Sequence, residues 1–409
     1  MGQGKDYSPA VQKRPESRLG ALTGLRFLAA FHVLIFHAGL GQLAGVPVWI
    51  QNVAWHADLS VSLFFVLSGF ILTYNYLDRE RGCRVADQQF WAARLARIYP
   101  IYLLGLVIAI PLLLREISLN DRTPLLSKIA ATVLVGCLVQ SWLPQTAWWW
   151  NFPSWSLSNE AFFYWCFPWL LRRLRALTRL QLLVSMLVVW VAAQVPPVLA
   201  QIMGPDGRGI VDQSAMPLLI KAVQMNPLLR LPDFVIGILL GRLYLLHGDD
   251  PPANQFKLRQ LGGTLSLVGL GLMVAAVAFS SEYPFPVTQS RSLVAPLNAL
   301  LIFGLALGGG LLAKVLSSRL MVLLGNASYA LYLLHIPLIF WTYFISRAWF
   351  RAESPNTWPL FVAYVFVAIG VSILAFLLVE EPMRHRLRRR LTVWLGPGDP
   401  TGQSLQHRS

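Results

Sequence analysis

Acidic residues are scarce in this chain: 19 Asp and Glu stand against 34 Lys and Arg in 409 residues. Charge of either sign is scarce too, at 13% of residues, while 56% are hydrophobic and the mean hydropathy is +0.54. A soluble domain carries about 25% charged residues, so this composition excludes a water-solvated globule and implies a polytopic membrane protein. Cysteine is nearly missing. Cys83 falls in a polar stretch, and Cys137 and Cys166 fall in apolar ones. That excludes a framework of paired cysteines, and with no C-x-x-C or similar spacing no metal is expected. Long polar stretches are also missing. None exceeds about 25 residues, short of the 50 or more that a soluble domain needs. No short-period repeat or low-complexity tract occurs, and we find no two-fold hydropathy repeat of the kind many transporters carry. The formal charge of +15 would suggest nucleic acid in a soluble protein. Here the placement of the basic residues accounts for it, and no nucleic-acid partner is expected.

What the chain does have is a series of apolar segments, near 26–44, 59–77, 98–114, 129–143, 160–171, 181–200, 227–246, 260–280, 293–313, 321–346 and 358–379. Cytoplasmic loops carry the excess of Lys and Arg. With the N-terminus inside, 25 of the 34 basic residues fall on the cytoplasmic side. That assignment works if 129–143, the short segment, does not cross but re-enters or lies against the bundle. The expectation is an all-α transmembrane bundle of about ten crossings with both termini cytoplasmic, eleven crossings being the alternative. Residues 1–20 form a polar cytoplasmic lead, 21–384 the integral membrane domain, and 385–409 a basic cytoplasmic tail. The first apolar run follows a polar lead and contains Arg26, so it reads as a retained span and not a cleaved signal.

That run, Leu25 to Leu43, is the most informative stretch. It suits a span of about 20 residues, yet holds Arg26, His32 and His37. Ionisable groups inside a span are costly and mark function by default. Arg26 and His37 lie close to three helical turns apart, so they share a face at a separation of about 16 Å. His32 falls on a different face. A neutral imidazole can take a proton from an alcohol near neutral pH, and a guanidinium can hold a phosphate bidentately. The plainer reading is a snorkelling Arg and a His bonded to a neighbouring helix.

Other residues carry two readings each. Arg94 and Arg97 are neighbours on a helix surface. They could grip phosphates or simply anchor the positive-inside topology. Glu160 opens an apolar segment behind Ser156, Ser158 and Asn159. It could serve a substrate hydroxyl, or it could be a first-turn acid behind a Ser158 cap. Ser328, Tyr332 and His335 share one helical face and could line a tunnel or join helices. The rings of Trp148, Trp149, Trp150, Phe152 and Trp155 read as an interfacial belt, with sugar stacking as the alternative.

The order of these words resembles the membrane acyltransferase family often called acyltransferase type 3. Arg26, ten residues, then His37 matches its R-x10-H signature. Val61 to Phe70, VSLFFVLSGF, is similar to its second span, and Arg94 to Pro100, RLARIYP, to the basic start of its third. Trp155 to Glu160, WSLSNE, with Phe162, Phe163, Tyr164 and Pro168 behind it, matches a further block. Gly325 to His335, GNASYALYLLH, and Glu380-Glu381-Pro382 complete the set. The resemblance covers roughly residues 18–390. One departure is Ser62, where many members carry Asp, so no role of that carboxylate carries over.

The resemblance implies an O-acyltransferase of the inner (cytoplasmic) membrane. It would move an acyl group, most often acetyl from acetyl-CoA, to a hydroxyl of a cell-surface or exported glycan, a lipid or a secondary metabolite. Acyl-CoA is then a co-substrate, and no cofactor stays bound. On this reading His37 is the general base or a transient acyl carrier, and Arg26, Arg94 and Arg97 position the CoA phosphates. Glu160 serves the acceptor on the outer side, and Ser328, Tyr332, His335 and Trp155 are tunnel or acceptor candidates. The rival class is a transporter or flippase that uses the same intramembrane Arg and His for substrate or proton passage. A membrane scaffold or sensor is a third class, but it would not need an intramembrane His.

Overall fold

The computed structural model describes residues 19–43, 45–78, 82–83, 85–119, 123–203, 218–248, 251–279, 292–350 and 357–395. In chain order the helices are α1 (Gly20–Gly39), α2 (Val48–Trp55), α3 (Asp58–Tyr76), α4 (Asp87–Ile108), α5 (Ile110–Leu119), α6 (Leu125–Gly136), α7 (Trp155–Leu174) and α8 (Arg179–Met203). They continue with α9 (Leu218–Met225), α10 (Pro227–His247), α11 (Pro252–Ala278), α12 (Ala295–Leu307), α13 (Gly310–Leu316), α14 (Arg319–Phe350), α15 (Trp358–Ala375) and α16 (Glu381–Leu395). A two-residue antiparallel ladder, Leu77–Asp78 with Gly82–Cys83, links α3 to α4. Helices dominate because hydrocarbon offers backbone groups no partner, and a helix satisfies them within one segment. The chain is an all-α polytopic membrane protein.

Each of the ten segments expected to cross has a long helix or helix pair. By length and apolarity alone, seven helices among the described residues qualify as spans, eight with one bent pair. Helices α7 and α10 have 20 and 21 residues, but Arg172, Arg173, Arg230, Asp233 and Arg242 make them more polar. The segment 293–313 departs from a simple span. It is the bent pair, α12 and α13, turned by 80°. The reason is local: Gly308, Gly309 and Gly310 take φ of +77°, +91° and +76°, where side chains are rarely tolerated. Segment 129–143 ends its helix at Gly136. Twelve residues rise only about 18 Å, too little to cross.

Two boundaries differ from the sequence reading in ways that matter for the site. Helix α4 begins at Asp87, not near 98, so Arg94 and Arg97 sit two to three turns into the helix. Residues 381–395 continue as α16, packed against α4, so the first part of the basic tail is helical. Residues 1–18 and 396–409, which hold the rest of the expected lead and tail, lie outside the described residues.

Helix α1 is held between α14 and α3. Gly325 allows the close approach of α14: a Cβ there would fall 2.0 Å from the Thr23 carbonyl oxygen of α1. Small residues let membrane helices approach in this way. Between α6 and α7 the backbone is irregular, and Leu138 and Trp150 hold φ of +59° and +69°. Bulky residues rarely adopt such values. Irregular backbone needs partners of its own, and Gln140, Ser141 and Asn151, all buried, tie this stretch to its neighbours. The Ser141 hydroxyl donates to the Trp155 carbonyl at 2.6 Å, the Gln140 amide to that of Ser154 at 3.0 Å, and the Asn151 amide to that of Leu333 at 3.1 Å.

Candidate active site

The buried stretch before α7 decides where Glu160 goes. Helix α7 begins inside the protein, with Trp155 to Asn159 all buried. Glu160 is therefore a turn and a half into the helix and is not a first-turn acid. Ser158 is no cap either, since its Oγ accepts the Ser141 backbone N–H at 3.3 Å. The Trp residues divide: Trp148 and Trp150 are half-buried. Trp149 and Trp155 are buried. The Trp149 indole donates to Thr132 Oγ1 at 3.1 Å, and the Trp150 indole to the Leu106 carbonyl at 3.0 Å. An indole N–H taken out of water needs such a partner, so these two rings brace the bundle as well as any interface.

Five helices enclose a cavity of ≈ 140 Å³. Helix α1 contributes Thr23 and Arg26; α3 contributes Phe64, Phe65 and Ser68; α4 contributes Arg97; α7 contributes Ser156, Glu160 and Tyr164; α14 contributes Ser328, Tyr329 and Tyr332. The expectation that Glu160 stands on the far side from the arginines is thus replaced: all three line one cavity. Arg26, Arg97, Glu160 and Glu380 interact electrostatically as one group. Two cations and two carboxylates balance, as charges within a membrane bundle must. Tyr164 donates a short hydrogen bond to Glu160, and Ser68 donates to the same carboxylate at 3.3 Å.

Arg94, one turn from Arg97, points elsewhere. Its guanidinium donates to the Tyr76 hydroxyl at 2.9 Å and lies 5.3, 5.8 and 6.0 Å from the rings of Tyr76, Phe90 and Tyr164. It supports the back of Tyr164 through cation–π contacts and does not line the cavity. Trp155 also stands behind the wall, edge-on to Phe65 at 6.4 Å.

The histidines of α1 differ in their bonding. His32 is saturated: Nε2–H donates to the Val53 carbonyl at 2.6 Å and Nδ1 accepts from Ser60 at 2.9 Å. It pins α2 and α3 to α1. His37 faces α14, where it meets His335. His335 is fully buried, and its Nδ1 lies 2.7 Å from the Tyr332 carbonyl. His37 Nδ1 lies 2.9 Å from the Val33 carbonyl and 3.2 Å from His335 Nε2. A carbonyl only accepts, so both Nδ1 atoms carry the proton. Then His335 Nε2 is an acceptor, and His37 shares its N–H between that atom and Val33. The remaining atom, His37 Nε2, keeps a lone pair, is buried and has no partner. Phe152 packs against the ring at 5.4 Å, and Trp148 stacks on Phe152 at 4.9 Å.

His37 is not part of the cavity lining. Tyr332 stands between: its hydroxyl bonds Ser156 Oγ at 2.8 Å, and its ring lies 6.0 Å from His335. The structure therefore gathers Arg26, Arg97, Glu160, Ser328 and Tyr332 around one space, and sets His335 and His37 just beyond its Tyr332 end. Sequence reasoning did not single out Tyr164, Ser68 or Glu380 for the site. Glu380 was visible only as part of a motif. It reaches Arg26 and Arg97 from a π-turn, Phe376–Glu380, joining α15 to α16, a feature frequent at functional sites.

An unpaired imidazole nitrogen next to a small cavity bearing arginine and carboxylate is suited to proton transfer on a polar substrate. The comparisons specify the chemistry. The acyltransferase domain family matches residues 19–377. Acyltransferase MdmB of Streptomyces mycarofaciens is 30% identical, with 95% of this chain and 97% of that protein covered. The peptidoglycan O-acetyltransferase OatA of Listeria monocytogenes is 25% identical over 89% of this chain, which spans only 55% of that protein. The O-acetyltransferase OatA of Staphylococcus aureus is 22% identical over 93% of this chain and 60% of its own length. No solved structure matches. With the family signature on α1 and the match over nearly its whole length, the chain belongs to the acyltransferase type 3 family and is a membrane O-acyltransferase.

Proposed function

We propose that the enzyme transfers a short acyl group, acetyl above all, from acyl-CoA in the cytoplasm to a hydroxyl of an exported or cell-surface molecule. It does so from the cytoplasmic membrane, with both termini inside. The observation that carries this reading is the unpartnered His37 Nε2, two side chains beyond an arginine-bearing cavity. The acyl donor approaches from the Arg26 and Arg97 end. The acceptor approaches from the His37 end, along Phe152 and Trp148. His37 Nε2 takes the hydroxyl proton as the alcohol oxygen forms the new C–O bond. The C–S bond then breaks, and the proton leaves with the CoA sulfur. His335 Nε2 and the Val33 carbonyl steady the N–H of the transient imidazolium. Arg26 and Arg97 face the pantetheine and phosphate portion, with Glu160 and Glu380 keeping them oriented. Arg94, against the Tyr164 ring, acts on Tyr164 as a positioning residue. The names of the relatives support a hydroxylated glycan as acceptor, with a lipid or secondary metabolite of similar chemistry as the alternative. A transporter reading has no observation in its favour, since its sequence basis, an intramembrane Arg and His, is also the family's acyltransferase signature.

Mass spectrometry of surface glycans, lipids and exported small metabolites, with and without the gene, tests this reading. A mass difference of one acyl group that disappears in a His37→Ala strain is expected. Identical profiles in all three classes would contradict it.

A further inference from the structure

The indoles of Trp91, Trp149, Trp150, Trp190 and Trp341 each donate to an oxygen at 3.0 or 3.1 Å. Trp148 departs from this. Its side chain is half-buried, yet its Nε1–H is buried and has no acceptor among the described residues. A buried donor without a partner destabilises a fold, and each such group calls for a reason.

The surroundings of Trp148 supply one. Its ring packs on Phe152 at 4.9 Å, and Phe152 packs on the His37 ring at 5.4 Å. His37 Nε2 is the other ring nitrogen of this row that is buried without a partner. The row of three rings therefore has an unpaired lone pair on its first member and an unpaired N–H on its last. A lone hydroxyl serves only the first. A molecule with a second oxygen beside that hydroxyl, as on a sugar ring, serves both. The hydroxyl gives its proton to His37, and the neighbouring oxygen accepts from Trp148.

Lys221 of α9 fixes the indole from outside the row. Its Nζ stands 3.9 Å from the centroid of the Trp148 ring, a close cation–π contact. The ammonium covers one face of the indole and Phe152 packs against the ring, so the group left to meet a substrate oxygen is the N–H. On the topology proposed above, α9 and the stretch before α7 lie on the outer side, where the acceptor arrives.

We propose that Trp148 is an acceptor-binding residue, donating its Nε1–H to an oxygen beside the reacting hydroxyl of a sugar or another acceptor with vicinal oxygens, and that Lys221 is its positioning residue. This assignment rests on the acyl-transfer reading above.

The acceptor probe is an extract of cells that lack the gene, which holds the acceptor unmodified. CoA release by the full-length protein in detergent is titrated with this extract and, separately, with acetyl-CoA. Thermal unfolding is measured on the same preparation. Trp148→Phe keeps an aromatic ring and removes the N–H. It should raise the apparent KM for the extract about 5-fold, the worth of one hydrogen bond between neutral groups. The KM for acetyl-CoA should not move, and the unfolding midpoint should stay or rise, since an unpaired donor is gone. Lys221→Met keeps the apolar stem and should raise the KM for the extract by less; no change there removes Lys221 from the assignment. An unchanged KM for the extract in Trp148→Phe overturns the proposal. So does an equal rise in both KM values, or a variant that unfolds earlier or does not fold, because the indole is then structural. A wild type that releases no CoA in response to the extract overturns the acyl-transfer reading itself, and this assignment with it.

Discussion

At the Arg26 end of α1, two guanidiniums and two carboxylates share one neighbourhood, and Tyr164 and Ser68 both donate to Glu160. At the His37 end the polar groups are two imidazoles, one of which keeps a ring nitrogen without a partner. The first region is arranged so that each charge is compensated, which makes it stiff and expensive to disturb. The second leaves a basic atom unsatisfied, which costs stability but leaves that atom available to a substrate. Between them stands Tyr332, bonded to Ser156. The difference separates a holding function from a reacting one along a single helix.

The strongest way to break this contrast is to unbalance the compensated end. Glu160→Ala leaves Arg26 and Arg97 with one carboxylate fewer. Glu160 is only partly buried and accepts from the Tyr164 and Ser68 hydroxyls, so the loss should be about 1.5–3 kcal/mol, the range for hydrogen bonds to a charged group. The unfolding midpoint in detergent reads this, and an unchanged midpoint would show that the cluster is solvated.

A smaller effect sharpens the division between the two arginines of α4. Arg97→Ala should raise the KM for acyl-CoA about 10-fold or more, because charge-assisted contacts to an anionic donor are worth about 1.5–3 kcal/mol. Arg94→Ala should act mainly on stability, because it removes the cation stacked on Tyr76, Phe90 and Tyr164. Titrating acyl-CoA with each variant separates them. Equal KM effects would return Arg94 to direct donor contact.

The smallest effect is expected at His32. His32→Ala removes two hydrogen bonds and should cost about 1–3 kcal/mol of stability, while kcat per folded molecule stays within about two-fold of wild type, far inside the 10²–10⁴-fold span of a lost general base. A large fall in kcat would mean that the α2–α3 anchor also sets the geometry of His37.

Much of this arrangement was legible in the sequence because α1 is a regular helix. Eleven residues at 3.6 per turn put Arg26 and His37 on one face, and the structure sets them at the two levels of the site. The i, i+4, i+7 spacing likewise carried Ser328, Tyr332 and His335 to one side of α14. What stayed hidden depends on departures from regularity. The π-turn at Phe376–Glu380 adds a residue to one turn and re-aims Glu380, which no periodic pattern shows. The positive φ of Leu138 and Trp150 has no sequence signal, because neither residue is glycine. Without that irregular stretch, α7 reads as starting at Glu160, which then passes for a first-turn acid. The bend of α12 and α13 was visible as three successive glycines, but apolar content alone reads through it. Phe64 and Tyr164 look like ordinary core residues until the cavity beside them is seen.

The central claim is that His37 Nε2 is the reacting base and not a joint between helices. It is tested most directly by measuring acyl transfer and thermal unfolding on the same preparation of His37→Ala. The account expects transfer to fall by about 10²–10⁴-fold, with a loss of stability no larger than the about 1–3 kcal/mol of leaving His335 Nε2 unpaired. Transfer near the wild-type rate with a lowered midpoint would contradict it and make the imidazole pair structural.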